Sequence, residues 1–259
     1  MNRTRRNTEP APPVPIDSLF SVESAGMASA SCDTTHALFA PLHYEPGYAY
    51  PLIVWLHGGG GDERQLLRVM PLMSMQNYVA IAPRGLHAGR PGGGRSGYGW
   101  QQSDDHIQQA QQRVLDSIEI ARDKLHVAPQ RVFLAGFDCG GTMAMRVAMR
   151  HPQRFAGVVS LCGPLPTGGT LLSNLTGVRR MPVLMAVGRY SLEYPQNQVC
   201  ADLRLLHSAG MSVTLRQYPS GHELSPLMLA DVNRWIIEQI TAPHETAAQA
   251  DARGSYRSE

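Results

Sequence analysis

The sequence predicts a doubly wound, mostly parallel α/β sheet, on two observations. Short runs that are apolar on both faces recur along the chain, and stretches of helical period lie between them. Strands of a parallel sheet covered by helices on both faces read as continuous apolar runs. Their alternation with helices selects a three-layer α/β architecture. At 259 residues, 43% hydrophobic and 17% charged, the chain is long enough for one large core and reads as one ordinary globular domain.

Residues 1–30 are rich in Pro, Ser and Ala with little periodicity, so a disordered lead-in is expected there. The folded domain is expected over 31–242, opening with a short edge strand at His36–Pro41. Apolar strands follow at 51–56, 78–82, 131–135, 157–161, 183–187 and 213–218, most of them closed by Pro or Gly. From Asp105, apolar or small residues recur at Ile107, Ala110, Val114, Leu115, Ile118 and Ala121, a one-sided helical stripe. Two further helices are expected over Gly140–Arg150, ending before Pro152, and over Leu224–Ile240. Met143, Met145 and Met149 in the first of these read as core packing. Residues 243–259 are polar, small and expected to be disordered.

Composition excludes several classes of function. A formal charge of +2 with scattered basic residues does not suggest a nucleic-acid partner. No apolar run is long enough to span a membrane, and none follows the N-terminal arginines as a secretory signal would require. Cysteines at 32, 139, 162 and 200 lack metal-ligand spacing, so no metal or other cofactor is expected. Free thiols suit a reducing, cytoplasmic setting. The expected partner is a small molecule, and the sequence leaves the oligomeric state open.

Four segments carry the chemistry. Leu56-His57-Gly58-Gly59-Gly60 follows the second apolar strand, and Gly136-Phe137-Asp138-Cys139-Gly140-Gly141 joins a strand to a helix. Gly188 to Pro195 follows the penultimate strand, and Gly221-His222-Glu223 follows the last one. Over roughly residues 36–240 this ordered set resembles the phospholipase/carboxylesterase branch of the α/β-hydrolase superfamily, the small serine esterases without a large cap and their polyester-depolymerase-like relatives.

The resemblance implies a nucleophile elbow at 136–140, but Asp138 stands where such an esterase carries serine. It implies an oxyanion hole from the N–H groups of Gly59 and Cys139, since glycine permits the close approach an oxyanion donor needs. His222 falls at the catalytic base and Ser191 at the position of the triad acid. Glu193 is the only nearby carboxylate able to replace that acid, because no Asp or Glu occurs between Asp138 and Glu193. Catalytic-type roles are therefore assigned to Asp138, His222 and Glu193, and His57, Gly58, Gly60 and Trp100 are candidates to border the pocket, with anchoring of its loop the equal alternative for Trp100. Arg90 and Arg95, in a glycine-rich loop expected over Arg84–Trp100, suit either an anionic ligand or plain solvation.

The implied function is that of a carboxylesterase or phospholipase-like hydrolase homologue. A carboxylate at the elbow is a poor starting point for serine-type acyl transfer, so ordinary esterase turnover is expected to be weak or absent, as in a pseudo-enzyme. One alternative is an active hydrolase using Asp138 against a saturated carbon, as haloalkane dehalogenases and epoxide hydrolases do. Another is a non-catalytic ligand-binding protein. Cys139 as nucleophile fits poorly, because the register would place Phe137 at the first elbow glycine.

Overall fold

A computed structural model describes residues 22–23, 35–88, 97–168 and 175–242. The strands are β1 (Val22–Glu23), β2 (His36–Phe39), β3 (Tyr50–Leu56), β4 (Val79–Pro83), β5 (Leu86–Ala88), β6 (Gly97–Gly99), β7 (Val127–Phe137), β8 (Gly157–Leu161), β9 (Val183–Gly188) and β10 (Val213–Tyr218). The helices are α1 (Gln65–Met73), α2 (Asp104–Lys124), α3 (Cys139–Arg150), α4 (Leu175–Arg180), α5 (Gln196–Ser208) and α6 (Pro226–Thr241). Eight strands form one sheet in the order β1-β2-β4-β3-β7-β8-β9-β10, parallel from β4 to β10 and antiparallel at β2 and β1. The order reverses direction at β3, which places the carboxyl ends of β3 and β7 side by side at the centre of the sheet, the customary location of an α/β site.

The sheet separates two apolar layers. Leu52, Val54 and Leu56 of β3 face Ile107, Val114 and Ile118 of α2 and the methionines of α3. Ile53 and Trp55 face the opposite layer, with Leu66 and Met70 of α1 and Val232, Trp235 and Ile236 of α6. β3, β4, β8 and β9 are buried along their whole length, as both-face apolar runs require. The three methionines of α3 are core residues.

Asp104 and Asp105 open α2, and Arg122 and Lys124 close it, both complementing the helix dipole. Ser225 caps α6 by accepting the Met228 N–H at 3.2 Å, with Pro226 in the first turn.

Some expectations need correction. The segment expected as one long loop over Arg84–Trp100 contains a hairpin, β5 paired antiparallel with β6; Arg90 and Arg95 lie outside the described residues. β7 begins at Val127, four residues earlier than expected. Helices α1 and α5 were not legible as elements. Pro71 sits inside α1, and α5 buries only Val199 and Leu206. Of the 1–30 segment only Val22–Glu23 is described, paired with β2; the rest of that segment and the 243–259 tail lie outside the described residues.

Candidate active site

β7 ends at Phe137, α3 begins at Cys139, and Asp138 turns the chain between them at φ 53°, ψ −126°. Such a backbone costs a non-glycine residue about 1–3 kcal/mol. The turn is held by the Asp138 N–H on the Leu161 carbonyl at 2.8 Å and by the Thr142 N–H on the Asp138 carbonyl at 3.1 Å. Glycine is required at 136 and 140 because a Cβ on either would overlap backbone: Gly140 behind the first, the Leu56 and His57 carbonyls behind the second. The strained turn lifts the Asp138 carboxylate above the sheet at the start of α3.

Beside it, the chain leaving β3 curls through His57–Gly61. The Gly59 N–H donates to Asp138 Oδ2 at 3.0 Å. Its neighbours are directed elsewhere, the Gly58 N–H to Gln65 Oε1 at 3.2 Å and the Gly60 N–H to the Tyr98 carbonyl at 2.9 Å. Cys139, as first residue of α3, offers a helix-start N–H near the same carboxylate.

His57 and Trp100 both lie buried behind the glycine turn, which for Trp100 is the anchoring alternative. His57 is fully buried, with Nδ1 2.9 Å from the Gly58 carbonyl and Nε2 accepting the Gly85 N–H at 2.9 Å. Burial lowers its pKa, which keeps the ring neutral. Trp100 is buried and donates its indole N–H to the His57 carbonyl at 2.9 Å. Both residues brace the glycine turn from behind.

A buried ion pair fastens that turn to the sheet edge. Arg84 donates through Nε to Glu63 Oε2 at 2.7 Å and through Nη2 to Oε1 at 2.6 Å, with its guanidinium 4.8 Å from the centre of the Tyr98 ring. Tyr98 in turn bonds Gly60 and Gly61 through its backbone. Sequence reasoning missed Glu63, Gln65, Arg84 and Tyr98 as supports, since no local spacing links residues that meet only in the folded chain.

His222 reaches the elbow from the loop after β10. Its Nε2 lies 3.2 Å from Asp138 Oδ1. That contact is not aligned with the ring N–H direction and is electrostatic rather than a directed hydrogen bond. The ring sits 5.5 Å from the Phe137 ring centre. The loop after β9 packs against it: Tyr190 N–H bonds the Ser220 carbonyl at 3.0 Å, and a Cβ on Gly188 would collide with the Gly221 carbonyl oxygen. This close approach brings Ser191 Oγ to 3.0 Å from His222 Nδ1. Glu193 Oε2 stands further off at 3.8 Å, on a side chain 64% exposed. Ser191 is itself buried and accepts the Tyr194 N–H at 3.0 Å; the Tyr194 hydroxyl is anchored on Asp202 at 2.7 Å.

Cys139 is a poor nucleophile. Burial, and next the Asp138 carboxylate, push its thiol up to about 11, and the thiolate is the reactive form. Among the described residues no group of three or more His, Cys, Asp or Glu side chains is arranged to hold a metal ion. None of the described helices is long and apolar enough to cross a membrane.

A strand–elbow–helix turn, a glycine-rich turn aimed at it and a histidine on the last loop, all above the carboxyl ends of a mostly parallel sheet, define an α/β-hydrolase. The model of the phospholipase/carboxylesterase family matches residues 47–240, and the chain belongs to that family. It is 29% identical over 180 residues to the NocK protein of Nocardia uniformis subsp. tsuyamanensis, covering 61% of this chain and 50% of that one. With lysophospholipase-like protein 1 of Mus musculus it shares 29% identity over 152 residues, 54% of this chain and 59% of the other. The chain thus spans only about half the length of these curated relatives. The crystal structure of a carboxylesterase from Mesorhizobium loti superposes with a TM-score of 0.65 over 81% of this chain and 95% of that one, at 18% identity, which speaks for the fold.

Proposed function

We propose that the protein is a carboxylesterase-type homologue that holds a small-molecule ligand at an Asp–His site and carries out little or no ordinary ester hydrolysis. One observation carries this reading: the Gly59 N–H that would stabilise a substrate oxyanion is bonded at 3.0 Å to the protein's own Asp138 Oδ2. An ester carbonyl would have to displace a carboxylate from its donor and then develop negative charge beside it. Attack by that carboxylate on the ester would give an anhydride, with no gain over the starting acyl group. The free thiols of Cys139, Cys162 and Cys200 favour a reducing, cytoplasmic setting, which counting thiols on natively isolated protein would test. Turnover of a short-chain p-nitrophenyl acyl ester by the wild-type protein tests the main reading. Hydrolysis at the buffer rate is expected, and robust turnover that disappears in Asp138→Ser would overturn it.

A second reading draws on the same carboxylate. Oδ2 rests on Gly59 while Oδ1 is left toward His222, an orientation that suits attack by Oδ1 on a saturated carbon. A halide would depart with the bonding electron pair, whereas an epoxide oxygen would stay attached and take a proton from water. Water adding to the Asp138 carboxyl carbon would then release the alcohol and regenerate the carboxylate, its proton passing to solvent. Repeated turnover of an alkyl halide or epoxide in heavy-oxygen water would load label into Asp138; an unlabelled peptide would count against it.

A further inference from the structure

We infer that Ser191 is a positioning residue that fixes His222 as the tautomer with its proton on Nε2, the reverse of what a catalytic base at this place requires. The argument rests on counting donors and acceptors around the buried Ser191 hydroxyl and the half-buried His222 ring. Ser191 Oγ is 4% exposed as a residue and has two neighbours, the Tyr194 N–H and His222 Nδ1, each at 3.0 Å. Tyr194 N–H can only donate, so it takes up a lone pair of the hydroxyl. The hydroxyl proton then has one acceptor within reach, His222 Nδ1, which must be unprotonated to receive it. Any other arrangement leaves a buried hydroxyl proton without a partner, which native structures avoid.

The far side of the ring gives the same answer independently. Nε2 faces Asp138 Oδ1 at 3.2 Å, and an ionised carboxylate only accepts, so a lone pair on Nε2 would face negative charge. A proton there is attracted by the charge instead, through the electrostatic contact and not a directed hydrogen bond. Glu193 Oε2, at 3.8 Å from Nδ1, lies beyond hydrogen-bond length and on an exposed side chain, so it does not compete with the Ser191 hydroxyl. A doubly protonated ring would satisfy both carboxylates but strand the Ser191 proton.

The consequence is chemical. A base acting on a nucleophile at position 138 needs its lone pair at Nε2, with an acid partner accepting the Nδ1 proton. Ser191 supplies a donor where that acceptor should be, so His222 is disabled as a base separately from the substitution at Asp138. This deepens the proposed function and rests on it only for its bearing on turnover; the tautomer follows from geometry alone.

The test is nitrogen NMR of the histidine side chains at about pH 8, above the ordinary histidine range. His57 provides an internal reference, because its Nδ1 donates to a carbonyl while its Nε2 accepts a backbone N–H, the opposite tautomer. Wild type should show His222 protonated on Nε2 and bare on Nδ1, with His57 reversed. Ser191→Asp should move the His222 proton to Nδ1 while leaving His57 unchanged, and Ser191→Ala should give a mixture. On an Asp138→Ser background, adding Ser191→Asp should raise ester turnover about 10²–10⁴-fold, the scale on which a wrong tautomer costs a serine triad. A proton on Nδ1 in wild type, or on both nitrogens, overturns the inference. If a variant fails to fold, the His57 signals report it and the wild-type spectrum decides alone. An Nδ1 proton in a wild type that still leaves esters intact would sink this inference and spare the proposed function; an Nε2 proton with brisk ester turnover would do the reverse.

Discussion

Arg84→Met should destabilise the protein far more than Glu63→Gln, although both break the same ion pair. The Glu63 side chain is 0% exposed, whereas that of Arg84 is 25% exposed. Removing the arginine leaves a buried carboxylate without a counter-charge, which costs about 3–5 kcal/mol. At about 2–4 °C per kcal/mol for a domain of this size, that is a fall in Tm of roughly 6–20 °C. Glu63→Gln leaves a guanidinium that retains one acceptor and reaches water, a loss of about 1–2 kcal/mol. The pH dependence separates the variants further. Burial, the largest single influence, pushes the Glu63 pKa up, but its hydrogen bonds to Arg84 and to its own backbone N–H, with the charges of Arg84 and Arg64, together outweigh this and the net shift is downward. A depressed carboxylate stabilises the fold fully above its unfolded pKa of about 4.3, and that contribution fades as pH falls through the lower folded value. In Arg84→Met burial, the largest influence, is opposed only by the backbone N–H of Glu63 and the Arg64 charge, so the sign should invert and stability should rise as pH is lowered from about 7 to about 5. Urea unfolding followed by the fluorescence of the tryptophans, of which Trp55 shares Gln65 with the glycine turn, measures both effects. Equal losses for the two variants, or an Arg84→Met protein that weakens toward acid as wild type does, would refute the reasoning.

Other perturbations follow from the same geometry. Gly188→Ala sets a methyl against the Gly221 carbonyl and should displace the His222 loop, costing about 1–3 kcal/mol as overpacking does; His222 NMR signals should shift while those of His57 hold. At about pH 8, iodoacetamide should label exposed Cys200 and spare Cys139, whose thiol sits near 11; peptide mapping reads the outcome, and rapid modification of Cys139 would reopen it as a nucleophile. Trp100→Phe removes the donor to the His57 carbonyl and should cost about 1–3 kcal/mol in a chemical unfolding experiment, because a buried acceptor is left unsatisfied.

The positions of the central strands along the chain were legible because these runs are apolar on both faces, short, and mostly closed by Pro or Gly, whereas their order in the sheet was not read from sequence. α1 was not legible, since Pro71 normally argues against a helix interior, yet the helix tolerates it with Leu66, Val69, Met70 and Met73 buried on one side. α5 presents too narrow an apolar face to stand out. At the site, the elbow, the glycine turn and His222 were legible from residue type at strand ends. That His222 faces Ser191 more closely than Glu193 was not, because it depends on how Gly188 lets two loops approach. Whether His57 and Trp100 point into a pocket or prop the turn was not legible for a related reason: an aromatic or histidine beside a glycine turn has the same sequence signature in either role.

The central claim, that Asp138 occupies the place of the substrate oxyanion, is tested most directly by comparing kcat/KM for a short-chain p-nitrophenyl acyl ester between wild type and Asp138→Ser. Serine would empty the Gly59 donor, remove the charge beside the developing oxyanion and supply a hydroxyl. Turnover above that of wild type is expected, small while Ser191 keeps the base in the wrong tautomer, and larger than either single change predicts when Ser191→Asp is added. Wild-type turnover that is substantial and abolished by Asp138→Ser would contradict the claim.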